Sequence, residues 1–558
     1  VRRCLTGPVG LAVIVTLANA VKPVVVDDTA YLTFARQVAA DPLDPYGGTI
    51  YWYTVPEPKM GVLAPPVLPY WLGLGIRLFG EHPPLLKLWL FPFVLLLAWS
   101  LRELLRRFAR GTEPVALPLL MLSPAVLPTV NLMLDVPAAA LGLTALVVFI
   151  RAVDHDSERL AVATGLVAAL AMQTKYTALL VPPLLAWYGL TRRRVWLPVL
   201  AVSAAVAAFA GWEALVAEKY GESHFLYHAK GQEGESKWYL IPPLAAYLGC
   251  LAAGIGLYAG RAVGLPRVVV TAAAGLWVVG LALLAGLPHS AAVLVPGKVP
   301  GAAKLTLEAV VWRTSGTVVL LTALASAGVL LLRRKRRPGF RRSPDSLFIV
   351  GWVLAEIAAY FVLSPFPAAR RLIGPTLALG VLAARVVSRV SRARPDRKPP
   401  AWVLPFAAAV GFFVAGLDAY DALPEKELAG RAAAWLRAND PAARVWFFGH
   451  WGFQYYCERA GMRPFVAGQS PVAVGDYLVV PAFPDHLDFY RPDSINVPDW
   501  PPRGVQVKPE AEFVWQDRLS AQTIPNFYGG TEPVTGRDHP RLRVVVYKVV
   551  GVKAKPPG

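Results

Sequence analysis

The feature that most constrains this chain is the recurrence of apolar runs long enough to cross a bilayer. A helix of about 15 to 22 apolar residues spans hydrocarbon and has no comparable place in a soluble domain. Thirteen candidate runs lie near residues 5–22, 84–101, 114–130, 136–151, 160–174, 177–190, 195–215, 239–259, 268–287, 314–332, 346–364, 372–390 and 401–418. Only 17% of the 558 residues are charged and 55% are hydrophobic, with a mean hydropathy of +0.45. The expected fold is a polytopic α-helical membrane protein with about 13 transmembrane helices.

The formal net charge of +19 would suggest nucleic acid as the partner of a soluble protein. Its distribution points elsewhere. Arg2–Arg3, Arg102/Arg106/Arg107/Arg110, Arg151/Arg159, Arg192–Arg194, Arg261/Arg267, Arg333–Arg337 with Arg341/Arg342, and Arg385 to Lys398 fall in alternate loops. The positive-inside rule makes that side cytoplasmic and the number of spans odd, so membrane lipids are expected as partners and nucleic acid is not. The other side carries a long first outer loop, 23–83, in which "APPVLPYWLGLGIRLFG" (Ala64–Gly80) reads as an interfacial helix anchored by Tyr70 and Trp71. Beyond about residue 419 the chain turns mixed and polar. "EKELAGRAAAWLRAND" reads as an amphipathic helix, and "RVWFFGH", "GDYLVVP" and "RLRVVVYKVV" read as strands. Two domains are expected: a membrane domain, 1–418, and a small extracytoplasmic α/β domain, 419–558.

Heavy use of Ala, Leu, Val, Pro and Arg suggests a GC-rich bacterial genome, and with it the bacterial inner membrane. Val1 reads as an alternative start codon or a missing N-terminus, and no cleavable signal peptide is read. Cys4, Cys250 and Cys457 fall in separate segments and suggest neither a disulfide framework nor a metal cluster. No internal repeat is visible.

Chemistry is suggested by "VKPVVVDDTAYLTFARQ", where Asp27 and Asp28 follow the first apolar run. A carboxylate there could cap the helix beginning near Thr29. A cap needs one Asp, however, and negative charge at the edge of hydrocarbon is costly enough to suggest function, here a general base. Asp135, ending "NLMLD", is either a polar turn residue or a second acidic group on the same face. Lys175, Arg370 and Arg371 are cations on the same face, with Lys59 and His82 behind them; each could be a headgroup-binding side chain. His224 and His228 have a metal-like spacing but no evident third ligand, so no metal site is assigned and no cofactor is expected with certainty.

"VDDTAYL", "PPVLPYWL", "LMLDVPAAALGL", "TKYTALL" and "FPAARRLIGP", in this order on one face, resemble the GT-C glycosyltransferases. The likeness is to the bacterial relatives of protein O-mannosyltransferases and lipid A aminoarabinose transferases. It covers about residues 1–420 and the order of membrane region followed by outer domain. It implies an inverting glycosyltransferase that takes a sugar from a polyprenyl-phosphate donor to a lipid, glycan or protein acceptor at the outer face. It further implies Asp27 as base, Asp28 as the neighbour that tunes it or positions the acceptor, and Asp135 as the second acidic residue. Transfer from such a donor also needs positive charge for the departing phosphate, for which Lys175, Arg370 and Arg371 are the candidates, with Lys59 and His82 behind them. The chain departs from the family in having Ala64 where many relatives carry a basic residue before the "PP", and Arg371-Leu372 where Arg-Tyr is common. Another class remains open, a secondary transporter using Glu356 in "GWVLAEIAAYF" and the outer-face carboxylates. A receptor-like protein would leave the elaborate first loop unexplained.

Overall fold

The computed structural model describes residues 6–52, 55–230, 237–286, 293–295, 305–332, 343–482, 502–524, 528–537 and 540–552. The chain is a helical bundle carrying a sheet near its C-terminal end. In chain order the helices that build the site region are α1 (Pro8–Ala20), α2 (Asp28–Ala40), α3 (Val67–Phe79), α4 (Phe91–Phe108), α5 (Asp135–Asp154), α6 (Glu158–Met172), α7 (Val181–Thr191) and α8 (Trp196–Tyr220). They are followed by α9 (Ile241–Leu251), α10 (Ala253–Val263), α11 (Leu307–Leu331), α12 (Pro344–Leu363), α13 (Ile373–Ala393), α14 (Val403–Asp421), α15 (Leu423–Asn439) and α16 (Trp451–Arg459).

Among the described residues seven helices are long and apolar enough to cross a membrane, or eight if one bent pair counts as a span. The other expected spans contain shorter helices: 13 residues in α1, 15 in α6 and 11 in α7. Proline begins α1 and α7 at their first turn, and Pro118 sits inside the short helix Glu113–Met121. The run read as one span at 239–259 is two helices meeting at 82°. Its glycines explain the break. Gly249 packs so closely on α11 that an added Cβ would lie 1.9 Å from the Trp312 carbonyl oxygen, and one on Gly316 would lie 1.7 Å from that of Ala245. Reciprocal small residues bring the two backbones together, as in membrane helix pairs generally, and the glycine-rich stretch beyond them yields to the bend.

Helix α5 has 20 residues, about 30 Å of rise and close to the hydrocarbon thickness. The basic clusters gather at one end of the bundle. Arg107 pairs with Asp154, Arg151 with Glu103, and both Arg192 and Arg385 with Asp345. Arg392 donates to the Arg110 carbonyl and Arg261 to that of Asp396. Arg2, Arg3 and the cluster 333–342 lie outside the described residues.

The segment expected to lie at the interface forms α3, but its anchors bond to protein. Tyr70 donates to the Pro42 carbonyl at 2.5 Å, and Trp71 and Trp89 stack at 4.8 Å while each indole N–H donates to the other's carbonyl. Two strands in the first loop, β1 (Thr49–Tyr51) and β2 (Pro56–Pro58), pair antiparallel. Toward the C-terminus the sheet holds β3 (Val445–Phe447), β4 (Arg463–Pro464), β5 (Tyr477–Ala482), β6 (Val505–Val514) and β7 (Arg543–Val552) in the order β4-β3-β5-β7-β6. The pairs β3–β4 and β3–β5 are parallel, and those made by β7 are antiparallel. Leu428 and Leu436 of the amphipathic α15 pack with Phe447, Val479 and Val544 in the core of this part.

A buried polar cluster joins this part to the bundle. Lys22 pairs with Asp418 and donates to Tyr528 at 2.9 Å, while Asn131 donates to the same hydroxyl at 2.7 Å. Arg541 pairs with Asp421, whose other oxygen accepts the Thr523 and Ile524 N–H groups. The sheet therefore sits at the end of the bundle opposite the arginines. A reporter fused after Arg110 should score as cytoplasmic and one fused after Pro441 as extracytoplasmic; finding both on one side would refute this arrangement.

Candidate active site

The loop from α1 enters α2 through a backbone that few sequences adopt. Val26 has φ of +48°, unfavourable for a β-branched residue because its side chain crowds the carbonyl. Directly after it, Asp27 occupies the N-cap position of α2, yet no side chain makes a capping bond there. Each carboxylate is engaged elsewhere. Asp27 Oδ2 accepts from Arg370 Nη1 at 2.5 Å. Asp28 is fully buried; its Oδ2 accepts the Val25 N–H at 3.2 Å and lies 3.8 Å from Lys87 Nζ. Burial pushes the Asp28 carboxyl above the usual range, against the opposing pull of Lys87.

Asp135 begins α5 and pairs with Lys175, which stands between α6 and the turn Tyr176–Leu180 that leads into α7. Burial pushes the Lys175 ammonium below the usual lysine range, with Asp135 pulling it back. Arg370 and Arg371 lie on one turn, Ala369–Leu372, that leads into α13. Arg371 lies 4.3 Å over the Phe366 ring and makes no ion pair with a described residue.

A cavity of about 130 Å³ runs from this cluster into the bundle. Asp135, Lys175, Arg370 and Arg371 line its charged end, and Gly142, Leu146, Leu184 and Leu377 line its apolar length. Leu146 follows Asp135 by three turns, so the apolar wall extends about 16 Å along α5. Glu356 also lines the cavity, its Oε1 accepting the Trp352 indole N–H at 3.0 Å. The space thus suits a ligand with an anionic head and a hydrocarbon tail.

The structure brings Asp27, Asp135, Lys175, Arg370 and Arg371 together, with Asp28 behind them. It does not bring Lys59 or His82 there. Lys59 is buried, donating to Gln37 at 2.8 Å and to the Gly47 carbonyl at 2.6 Å, and so fastens the first loop. His82 is exposed at the start of Pro83–Leu88. His224 and His228 hold the same loop through the Val62 and Met60 carbonyls, at 3.3 and 3.1 Å. Among the described residues no three His, Cys, Asp or Glu side chains gather as a metal site.

Sequence reasoning passed over Lys87. It is fully buried and donates to the Lys22 and Pro23 carbonyls, tying the start of the strained loop to the bundle. The signal was an ammonium inside the apolar run "LLKLWLFPF".

Residues 64–212 match the family model described as dolichyl-phosphate-mannose-protein mannosyltransferase, a stretch that holds α3, Asp135 and Lys175. The chain thus resembles the GT-C glycosyltransferases related to the O-mannosyltransferases. Among solved structures it is similar to ArnT from Cupriavidus metallidurans bound to undecaprenyl phosphate, at 15% identity over 97% of each chain and a TM-score of 0.43. It is also similar to the oligosaccharyltransferase AglB from Archaeoglobus fulgidus in complex with an inhibitory peptide and a dolichol-phosphate. There the identity is 13%, over 82% of this chain and 64% of that one, with a TM-score of 0.44. No curated protein sequence matches this chain.

Removing the Lys87 ammonium would leave Asp28 as an unpaired buried charge. Lys87→Met should cost about 3–5 kcal/mol, seen as a lower melting temperature in detergent. Adding Asp28→Asn to the same chain should restore much of the loss, and no recovery would show that the two groups are not energetically coupled.

Proposed function

We propose that the chain is an inverting GT-C glycosyltransferase that moves a sugar from a polyprenyl-phosphate donor to an acceptor at the outer face of a bacterial inner membrane. The observation that carries this reading is the cavity, with Asp135 and three cations at one end, Asp27 paired to one of those cations, and an apolar wall beyond them. The matching family's description names a dolichyl-phosphate-linked mannose, a donor of the same chemical class. In this reading the membrane part, 1–418, crosses the bilayer thirteen times with its short helices completing spans, and 419–558 is an extracytoplasmic domain.

Asp27 is the base. It is the less buried member of the acidic pair and stands beside Arg370, whereas Asp28 is enclosed with Lys87. An acceptor O–H or N–H gives its proton to Asp27 as the oxygen or nitrogen attacks the anomeric carbon. The bond from that carbon to the phosphate oxygen breaks, and its electron pair stays on the lipid phosphate. This single displacement inverts the anomeric centre. Arg371, without a carboxylate partner among the described residues, meets the departing charge, with Lys175 and Arg370 beside it. Asp135 holds Lys175 in place, and the tail lies along Gly142 and Leu146.

The test is release of undecaprenyl phosphate by purified protein given a panel of undecaprenyl-phosphate sugars and envelope acceptors. Asp27→Asn should fold and bind donor yet lose about 100- to 10,000-fold in turnover, because an amide cannot take the proton. An Asp27→Asn protein with full turnover would refute the assignment of the base. Arg371→Ala, Arg370→Ala and Lys175→Ala should each weaken donor binding or turnover by about 1.5 to 3 kcal/mol, the value of one charge-assisted contact. Wild-type donor affinity and turnover in all three would remove them from the phosphate site.

A further inference from the structure

We propose that α16, a helix more than 400 residues along the chain from Asp27, is the positioning element for that carboxylate; the proposal rests on the reading of Asp27 as base. Two hydrogen bonds flank the strained loop. On one side the Val24 N–H donates to the Tyr456 hydroxyl at 2.8 Å. On the other the Thr29 hydroxyl donates to the Trp451 carbonyl at 2.7 Å. The two bonds join the first residue of a single helix, Trp451–Arg459, and Tyr456 five residues further along it, to residues two after and three before Asp27.

Steric fit supplies a third hold. A Cβ on Gly452 would lie 2.6 Å from the Val24 carbonyl oxygen, so only glycine lets the helix approach this closely. Trp451 itself has φ of +61°, so two non-glycine residues with left-handed backbone lie at this contact, Val26 on one side and Trp451 on the other. Such conformations persist where the surroundings over-determine them, and they cluster at functional sites. The helix is in turn fixed to the first loop. Gln454 donates to the Tyr51 carbonyl at 3.1 Å, and Arg36 lies 3.9 Å from Glu458.

Asp27 makes no capping bond of its own, so its direction is set by the backbone on either side of it and by Arg370. Without the brace, Val26 would relax to an extended conformation and turn the carboxylate away from Arg370, which lines the charged end of the cavity. Tyr456, Thr29 and Gly452 are on this account positioning residues that act through Asp27.

Tyr456→Phe and Thr29→Val each remove one hydroxyl at nearly constant volume. With the undecaprenyl-phosphate sugar that the wild-type protein turns over, each should lower kcat about 10- to 100-fold at unchanged donor KM and melting temperature, the effect of a misplaced reacting group. In an Asp27→Asn background neither change should lower the residual rate further. Wild-type kcat in both single variants and in the double variant overturns the proposal. So does a loss that tracks melting temperature, with normal kcat per folded molecule. Running Asp27→Asn alongside separates the two readings. An inactive Asp27→Asn with a fully active Tyr456→Phe removes the brace and leaves the transferase standing, whereas a fully active Asp27→Asn removes the base and the brace with it.

Discussion

Charge at the edge of hydrocarbon has to be matched by charge, and the pair formed by Asp27 and Arg370 is where that requirement organises this molecule. The two residues are 343 positions apart. Leaving either buried alone would cost several kcal/mol, so the pair fastens the loop after the first helix to the turn before α13. Asp135 and Lys175 make the same kind of join between α5 and the connection from α6 to α7. Within these two pairs positive and negative charge balance, and Arg371 adds a further positive charge at the same place. An anion is the complement of that surplus, and the apolar wall beyond it calls for a hydrocarbon tail.

How much of this could be read beforehand follows from the range of the interactions. Apolar runs and arginine clusters are local in sequence, and they announced both the helical bundle and the gathering of the basic loops at one end. The helix and strands after residue 419 carry ordinary amphipathic patterns, and α15, β3, β5 and β7 formed where those patterns lie. The break between α9 and α10 was hidden because hydropathy does not register backbone approach; it depends on Gly249 meeting α11, a contact between distant segments. Tyr70 and Trp71 looked like lipid anchors for a related reason, since their partners Pro42 and Trp89 lie on other elements.

The site was partly legible on the same grounds. Acids and cations at the ends of apolar runs stand out, and Asp27, Asp135, Lys175, Arg370 and Arg371 do meet in space. Lys59 and His82 share their chemistry and their expected face but not their location, because topology assigns a residue to a face and cannot place it within that face. The residues alone made Asp27 and Asp28 neighbours on one loop, and only the resemblance gave them separate roles. The strained turn at Val26 and the ammonium of Lys87 divide their fates, one facing Arg370 and the other enclosed. The strain at Val26 is not visible without the fold, and neither is the carboxylate that the Lys87 ammonium meets.

The last apolar helix, α14, passes through Ala422 into α15 with Ala422 itself in a right-handed helical conformation. No loop intervenes, and the buried pair of Lys22 with Asp418 lies within one turn of the join. The sheet-bearing part is therefore geared to the bundle like a key on a shaft. Anyone exchanging it between relatives, or splicing a tag at this junction, must keep the helical phase. One inserted residue would turn everything beyond it by about 100° and swing Tyr456 and Trp451 away from the loop they hold.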